Sequence, residues 1–177
     1  MARAAPLGGV MIGPKMQEAL NRHVQVEVSS SYLYLAMSAW CEAKAWKGFA
    51  RWLRAQSDEE LAHAKKSLDF LLARGGEAKL GAIEAPSPAS FSGPIDLFEK
   101  VLDHERRVTA FVNDLASAAE QERDRAAGVF LQWFVAEQVE EEARVAEILD
   151  RLRMVGDRPG AALYLDKEYG KRGKAPG

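Results

Sequence analysis

Cysteine is nearly absent: Cys41 is the only one in 177 residues. A single thiol cannot close an internal disulfide or build a thiolate cluster, so a metal bound here needs oxygen and nitrogen ligands. It also fits a reducing compartment such as the cytoplasm. Long hydrophobic runs are missing too. None approaches the roughly 20 residues of a membrane-spanning helix, and no membrane partner is expected. Charge of one sign is lacking, since 24 basic and 26 acidic residues leave a net of −2. That balance gives no overall attraction to nucleic acid or to an anionic bilayer, so any charge that matters is local. The leader over residues 1–14, MARAAPLGGVMIGP, interrupts its apolar residues at Pro6, Gly8 and Gly9 and lacks a signal-peptide centre. It reads as flexible, with Met11 or Met16 as alternative starts, and residues 173–177 read as a flexible tail.

What is present is an ordinary globular composition, 47% hydrophobic and 28% charged. A single domain over residues 15–172 is large enough to bury about 70% of its unfolded surface. Apolar residues recur on a 3.6-residue period through four stretches, which predicts an all-α fold. The first runs from Lys15 to Glu42 through Met16, Leu20, Val24, Val28, Leu35 and Met37. After a short break at Ala43 to Trp46, the second runs from Lys47 to Arg74 through Phe49, Trp52, Leu53, Leu61, Ala64, Leu68, Leu71 and Leu72. It stops at Gly75-Gly76. The third spans Ile95 to Glu122, and the fourth spans Ala126 to Met154 and includes Val129, Phe130, Phe134, Val139 and Val145. Residues Pro159 to Gly170 allow one short fifth helix.

Between the second and third stretches lie about 20 residues with four glycines, three prolines and three serines, from Gly75 to Pro94. A loop of that length needs a reason. Fully extended it reaches about 65 Å, enough to run the length of a helix of about 40 Å. Short, long and short connections predict a four-helix bundle with one crossover between the second and third helices.

The chemistry centres on Ser57-Asp58-Glu59-Glu60-Leu61-Ala62-His63. A spacing of three sets Glu60 and His63 about 60° apart on neighbouring helical turns, so that both can grip one ion, while Glu59 leans off that stripe. A chance surface pair is the competing reading. The other helices supply partners. Glu27 sits among Val24, Val26 and Val28, with an exposed position on a third face as the alternative. Glu105 sits among Val101, Leu102 and Val108, and adjacent His104 points about 100° away from it. The fourth helix offers Glu137, Gln138, Glu140 and Glu141, or simply a solvated acidic face, the reading kept for Glu142. Carboxylates gathered inside a bundle repel one another and lose hydration, which protons or cations relieve. One imidazole among oxygen ligands suits Fe(II), Mn(II) or Zn(II). Two metal positions bridged by a shared carboxylate balance the charge better than one.

The segments NRHVQVEVSSSYLYLAMSAWC, RAQSDEELAHAKKSLDFLLARGG, DHERRV, FLQWFVAEQVEEE and LYLDKE occur in order and at the right separations for a known pattern. Over Met11 to about Arg172 the chain resembles the bacterial non-haem ferritins. The resemblance implies a ferritin-like bundle in a hollow homo-24-mer. Such a shell is a ferroxidase that oxidises Fe(II) to Fe(III) with dioxygen or hydrogen peroxide and stores the ferric mineral. It also implies that Glu27, Glu60 and His63 hold the first iron of a diiron centre, and that Glu60 bridges to a second completed by Glu105 and Glu141, with Gln138 close by. A third iron would map to Glu59, Glu137, Glu140 and the shared Glu141. Tyr34, two turns after Glu27, matches a tyrosine that could supply an electron during oxygen reduction; a buried core phenol is the alternative. Trp133 reads as core.

Departures from related patterns narrow the reading. Symmetric diiron bundles repeat Glu-x-x-His on the last helix, whereas here Gln138 and Glu141 stand at those positions, which implies a weaker second site. Leu61 occupies the place of the haem-ligating methionine of bacterioferritins, so no haem is expected. One cysteine excludes the four-cysteine domain of rubrerythrins, and the fifth helix argues against the 12-subunit mini-ferritins. Animal ferritins line their three-fold pores with acidic rings. The matching stretch here, Asp124-Arg125-Ala126-Ala127-Gly128, is less acidic, leaving Glu120, Glu122 and Asp124 as candidates for an iron entry path. The competing function is a diiron oxidase or peroxidase that detoxifies oxidant without storing mineral.

Overall fold

A computed structural model describes residues 11–86, 90–156 and 158–171. Residues 1–10 of the expected leader and the tail at 173–177 lie outside the described residues. Among the described residues there are five helices and no strands: α1 (Pro14–Ala43), α2 (Lys47–Ala73), α3 (Pro94–Gln121), α4 (Arg125–Val155) and α5 (Pro159–Tyr169). Proline stands at the start of α1, α3 and α5, where its missing N–H costs nothing and its fixed φ suits the helix. Asp124 caps α4, its side chain accepting a hydrogen bond from the Ala127 N–H at 3.0 Å. Glycines with positive φ end α2 and α4, Gly75 at 72° and Gly156 at 54°.

The helices form two antiparallel hairpins. Ser31 meets Ser57 while Ser38 reaches back to the Ala50 carbonyl, so α1 and α2 run in opposite directions. Glu99 pairs with Arg153 and Thr109 with Glu142, which does the same for α3 and α4. The connection from Gly75 to Gly93 joins the hairpins and is tied to α1 by a polar stripe. Gln17 accepts from the Glu77 N–H at 2.8 Å, Asn21 from the Lys79 N–H at 2.6 Å, and the Gln25 amide donates to the Ala82 carbonyl at 2.8 Å. Those residues recur every four positions, so one face of α1 satisfies the backbone of an otherwise irregular segment. Ile12, ahead of α1, is buried, and its N–H bonds the Arg74 carbonyl at 3.1 Å.

Helix α5 closes one end of the bundle. The buried Asp166 carboxylate accepts from the Gly48 and Phe49 N–H groups at 3.0 and 2.8 Å, satisfying the open amide groups of the α2 N-terminus. Contact is so close that a Cβ on Gly48 would lie 1.6 Å from the Asp166 carbonyl oxygen.

Apolar packing falls into two separate clusters. One holds Tyr34, Met37, Phe49, Trp52, Phe98 and Ile148 with their neighbours, and the other holds Met16, Leu20, Leu71, Val112, Leu131 and Phe134 with theirs. Between them runs a buried polar belt. Five residues expected on the apolar period of their helices are outside instead: Leu35 at 45%, Leu61 at 38%, Leu72 at 50%, Val129 at 76% and Val139 at 69% exposure. The inward positions they would have taken belong to polar residues of the belt and to the stripes that continue it.

Candidate metal centre

Helices α1 and α2 carry the belt at the spacing that keeps side chains on one face. On α1 the buried residues are His23, Glu27, Ser30 and Tyr34; on α2 they are Gln56, Glu60, His63 and Ser67. Both sets advance by four, three and four residues. Helix α3 adds Glu105 and α4 adds Gln138 and Glu141, all buried.

Donor atoms of Glu27, Glu60 and His63 all lie within 4.8 Å of one another. His63 Nδ1 stands 3.6 Å from Glu60 Oε2. Around this group the other carboxylates are held by specific donors. The Tyr34 hydroxyl donates to Glu105 Oε1, and the Gln138 amide donates to Glu105 Oε2 at 3.2 Å. Gln56 donates to Glu141 Oε2 at 2.9 Å, and Arg144 reaches Glu141 Oε1 at 2.6 Å. Glu137 and Glu140 also meet Arg144, at 3.4 and 2.9 Å. Glu59 is half-buried beside this set, its charge reaching Arg144. His104 turns away and shares a 2.9 Å hydrogen bond with Ser30.

Burial shapes the electrostatics. It raises the Glu27 carboxyl and pushes Glu60 up to about 8 and Glu105 up to about 7. Burial opposes a charged His63, but the neighbouring Glu60, Glu27 and Glu137 carboxylates outweigh it and raise that imidazole. Burial also raises the Tyr34 phenol, and the Glu105 charge adds to the effect. Burial thus favours the protonated forms of Glu60 and Glu105, whose protons a cation can replace. Glu27 Oε2 is buried with no hydrogen-bond partner, as is Gln56 Oε1. An unpartnered buried carboxylate oxygen, beside an imidazole and a second carboxylate, is the donor set that a divalent first-row metal completes.

Sequence reasoning passed over three groups. His23 is fully buried, its Nε2 2.7 Å from Glu27 Oε1 but out of line for a hydrogen bond, and its Nδ1 3.0 Å from Ser67 Oγ. Burial, and then the charge of His63, pushes its pKa down to about 4. Gln56 holds Glu141, and Arg144 binds three acids. Their signal was spacing: His23 lies four residues before Glu27, and Arg144 lies three, four and seven after the acids it meets.

Trp133, expected in the core, is 38% exposed. Phe134 takes the inward direction, and the Lys66 ammonium sits 3.1 Å from the Trp133 ring centre. Two acids considered for an entry path are already engaged. Asp124 caps α4 and takes a two-point ion pair from Arg74 at 3.1 Å, and Glu122 pairs with Lys15 at 3.0 Å. Cys41 is buried, and burial pushes its thiol up to about 12, which leaves it unreactive. No helix among the described residues is long and apolar enough to cross a membrane.

Comparison with known proteins agrees with this architecture. The Ferritin-like domain family model matches residues 17–155. A bacterial non-heme ferritin of Bacteroides fragilis is 40% identical over 162 residues, covering 92% of this chain and all of that protein. One from Escherichia coli is 37% identical over 158 residues, covering 89% of this chain and 95% of its own. Among solved structures, an open pore ferritin from the hyperthermophilic archaeon Archaeoglobus fulgidus superimposes with a TM-score of 0.89 at 46% identity, covering 91% of this chain and 98% of that one. A bundle whose helices share one buried belt of acids, matched over nearly its full length by these proteins, belongs to the ferritin family, in its bacterial non-haem branch.

Proposed function

We propose that this protein is a ferroxidase and iron store, which oxidises Fe(II) to Fe(III) and deposits the ferric product inside a 24-subunit cage in the cytoplasm. The observation that carries the reading is the belt itself: Glu27, Glu60 and His63 donors within 4.8 Å, with Glu27 Oε2 buried and unpartnered. Leaving such groups without a cation is costly, and a role in taking up metal explains why the core tolerates them.

Fe(II) is the substrate. Glu27, Glu60 and His63 bind the first ion, and Glu60 bridges to a second bound by Glu105 and Glu141 beside Gln138. Two ferrous ions side by side give up one electron each. Dioxygen takes both electrons with two protons and leaves as hydrogen peroxide, which can itself accept two more from a further pair. Carboxyl protons on Glu60 and Glu105 depart as the ions bind, which keeps the buried charge nearer to balance. Tyr34, whose hydroxyl donates to Glu105, adjoins the second position and is placed to lend an electron. That position, with an amide at Gln138 where an imidazole would bind more firmly, holds iron more loosely and suits passage inward. Leu61 in place of a methionine supports a centre without haem.

Aerobic loading of the pure protein with excess Fe(II), followed by iron per particle and particle mass, tests the reading. Hundreds of irons in a particle of about 24 chains are expected. Two irons per chain and no mineral would instead favour a diiron oxidase or peroxidase that removes oxidant.

A further inference from the structure

The acids implied for a third iron already have a cation among them. Arg144 Nη1 lies 2.6 Å from Glu141 Oε1, and Nη2 lies 2.9 Å from Glu140 Oε2 and 3.4 Å from Glu137 Oε1. All four residues are on α4, at separations of three, four and seven, so they form one stripe and a single helix fixes the arrangement. Glu141, at 1% side-chain exposure, is the buried end of the stripe, and Glu140, at 66%, is its exposed end.

We infer that Arg144 stands in for a third metal ion, its guanidinium pairing with Glu137, Glu140 and Glu141 and limiting the centre to two ions. This rests on the two-metal reading above and adds its upper limit.

A guanidinium is charged at every physiological pH and offers several donors in a fixed fork, so it can satisfy several carboxylates together. It is also tethered. A free ion entering this stripe must displace a cation that is always present at high local concentration, and must leave the guanidinium without partners. Glu141 is the acid shared with the second metal position. With Arg144 on Oε1 and Gln56 donating to Oε2 at 2.9 Å, both of its oxygens are engaged. Arg144 therefore also competes for a ligand of the second ion and favours its release.

Zinc(II), which does not change oxidation state, counts the positions. The assembled full-length protein and Arg144→Ser are stripped of metal, titrated by calorimetry and checked by equilibrium dialysis. The wild type is expected to take up two ions per chain, and R144S three. The extra ion should bind at least tenfold more tightly in R144S than any third ion in the wild type, and should be lost again in R144S with Glu140→Gln. Three ions in the wild type would overturn the inference, as would two in both proteins, while the two-metal centre would stand. Zinc bound by neither protein would overturn both readings together. Arg144→Gln repeats the count if R144S misassembles.

Discussion

His23 and Glu27 stand one turn apart on α1, and the imidazole Nε2 approaches Glu27 Oε1 to 2.7 Å with both side chains buried. On its other side the ring meets Ser67 Oγ at 3.0 Å, and Phe111 and Phe134 lie against its faces and edge. Ser67 and the two rings set the angle of the imidazole, which in turn limits where the Glu27 carboxylate can point. Replacing groups that orient a metal ligand lowers affinity by about 10- to 100-fold. His23→Leu should show a loss of that size for the first ion, while His23→Gln, which keeps a polar side chain packed beside Glu27, should stay within a few fold. Anaerobic cobalt(II) titration followed by d–d absorption measures both.

The metal-free protein should lose stability as pH rises above neutrality. Glu60 and Glu105 move up to about 8 and about 7, and His63 also moves up, so each favours the folded state at low pH and loses that contribution as pH climbs through its folded value. His23 and His104 move the other way, from 6.5 to about 4, and their contribution grows as pH rises between those values. The two sets oppose each other below about pH 6.5, and above it only the falling set remains. Calorimetry of the stripped protein should therefore show a nearly flat melting temperature from pH 5 to 6.5 and a decline to pH 8. Glu60→Gln should reduce that decline. A melting temperature that climbs from pH 6.5 to 8 would contradict the burial argument.

Tyr34→Phe removes the hydroxyl that donates to Glu105 and leaves the ring in place. A buried carboxyl losing one donor costs about 1–3 kcal/mol, so the fold should survive with a lower melting temperature. Two-metal binding should persist, while Fe(II) oxidation slows several-fold. A tyrosyl radical trapped by freeze-quenching during wild-type oxidation should be absent from the variant. An unchanged radical signal would assign it to another residue.

Asp166→Ala should loosen α5 without touching the metal centre. It deprives the Gly48 and Phe49 N–H groups of their acceptor, at about 1–3 kcal/mol for each buried group left unpaired. Gly48→Ala should act more strongly, because its Cβ would fall 1.6 Å from the Asp166 backbone oxygen and α5 must move away. Trypsin cleavage after Lys167, compared over time, should be several-fold faster in both variants. Zinc uptake should match the wild type.

Much of the fold is legible in the sequence, because periodic apolar residues and terminating glycines act locally. The helix bounds read from them lie within one or two residues of those observed. Glu60 and His63 are legible for the same reason, since a spacing of three on one helix fixes a shared face. Leu35, Leu61, Leu72, Val129 and Val139 lie outside because periodicity marks a stripe without saying which residues occupy it. Trp133 turned outward because Phe134, one position on, fills the inward direction.

By itself the sequence determined the helical class, the long crossover and the acids available to a metal. Packing of the hairpins decided the rest. It joined Glu27 to Glu60 and His63 across α1 and α2, drew Gln138 onto Glu105 across α3 and α4 and Gln56 onto Glu141 across the bundle, and set His23 on the face of Phe111 and the edge of Phe134. Sequence spacing carries the angle between side chains on one helix. It carries neither the distance between helices nor their rotation toward one another, and those two quantities make a belt of acids into a site.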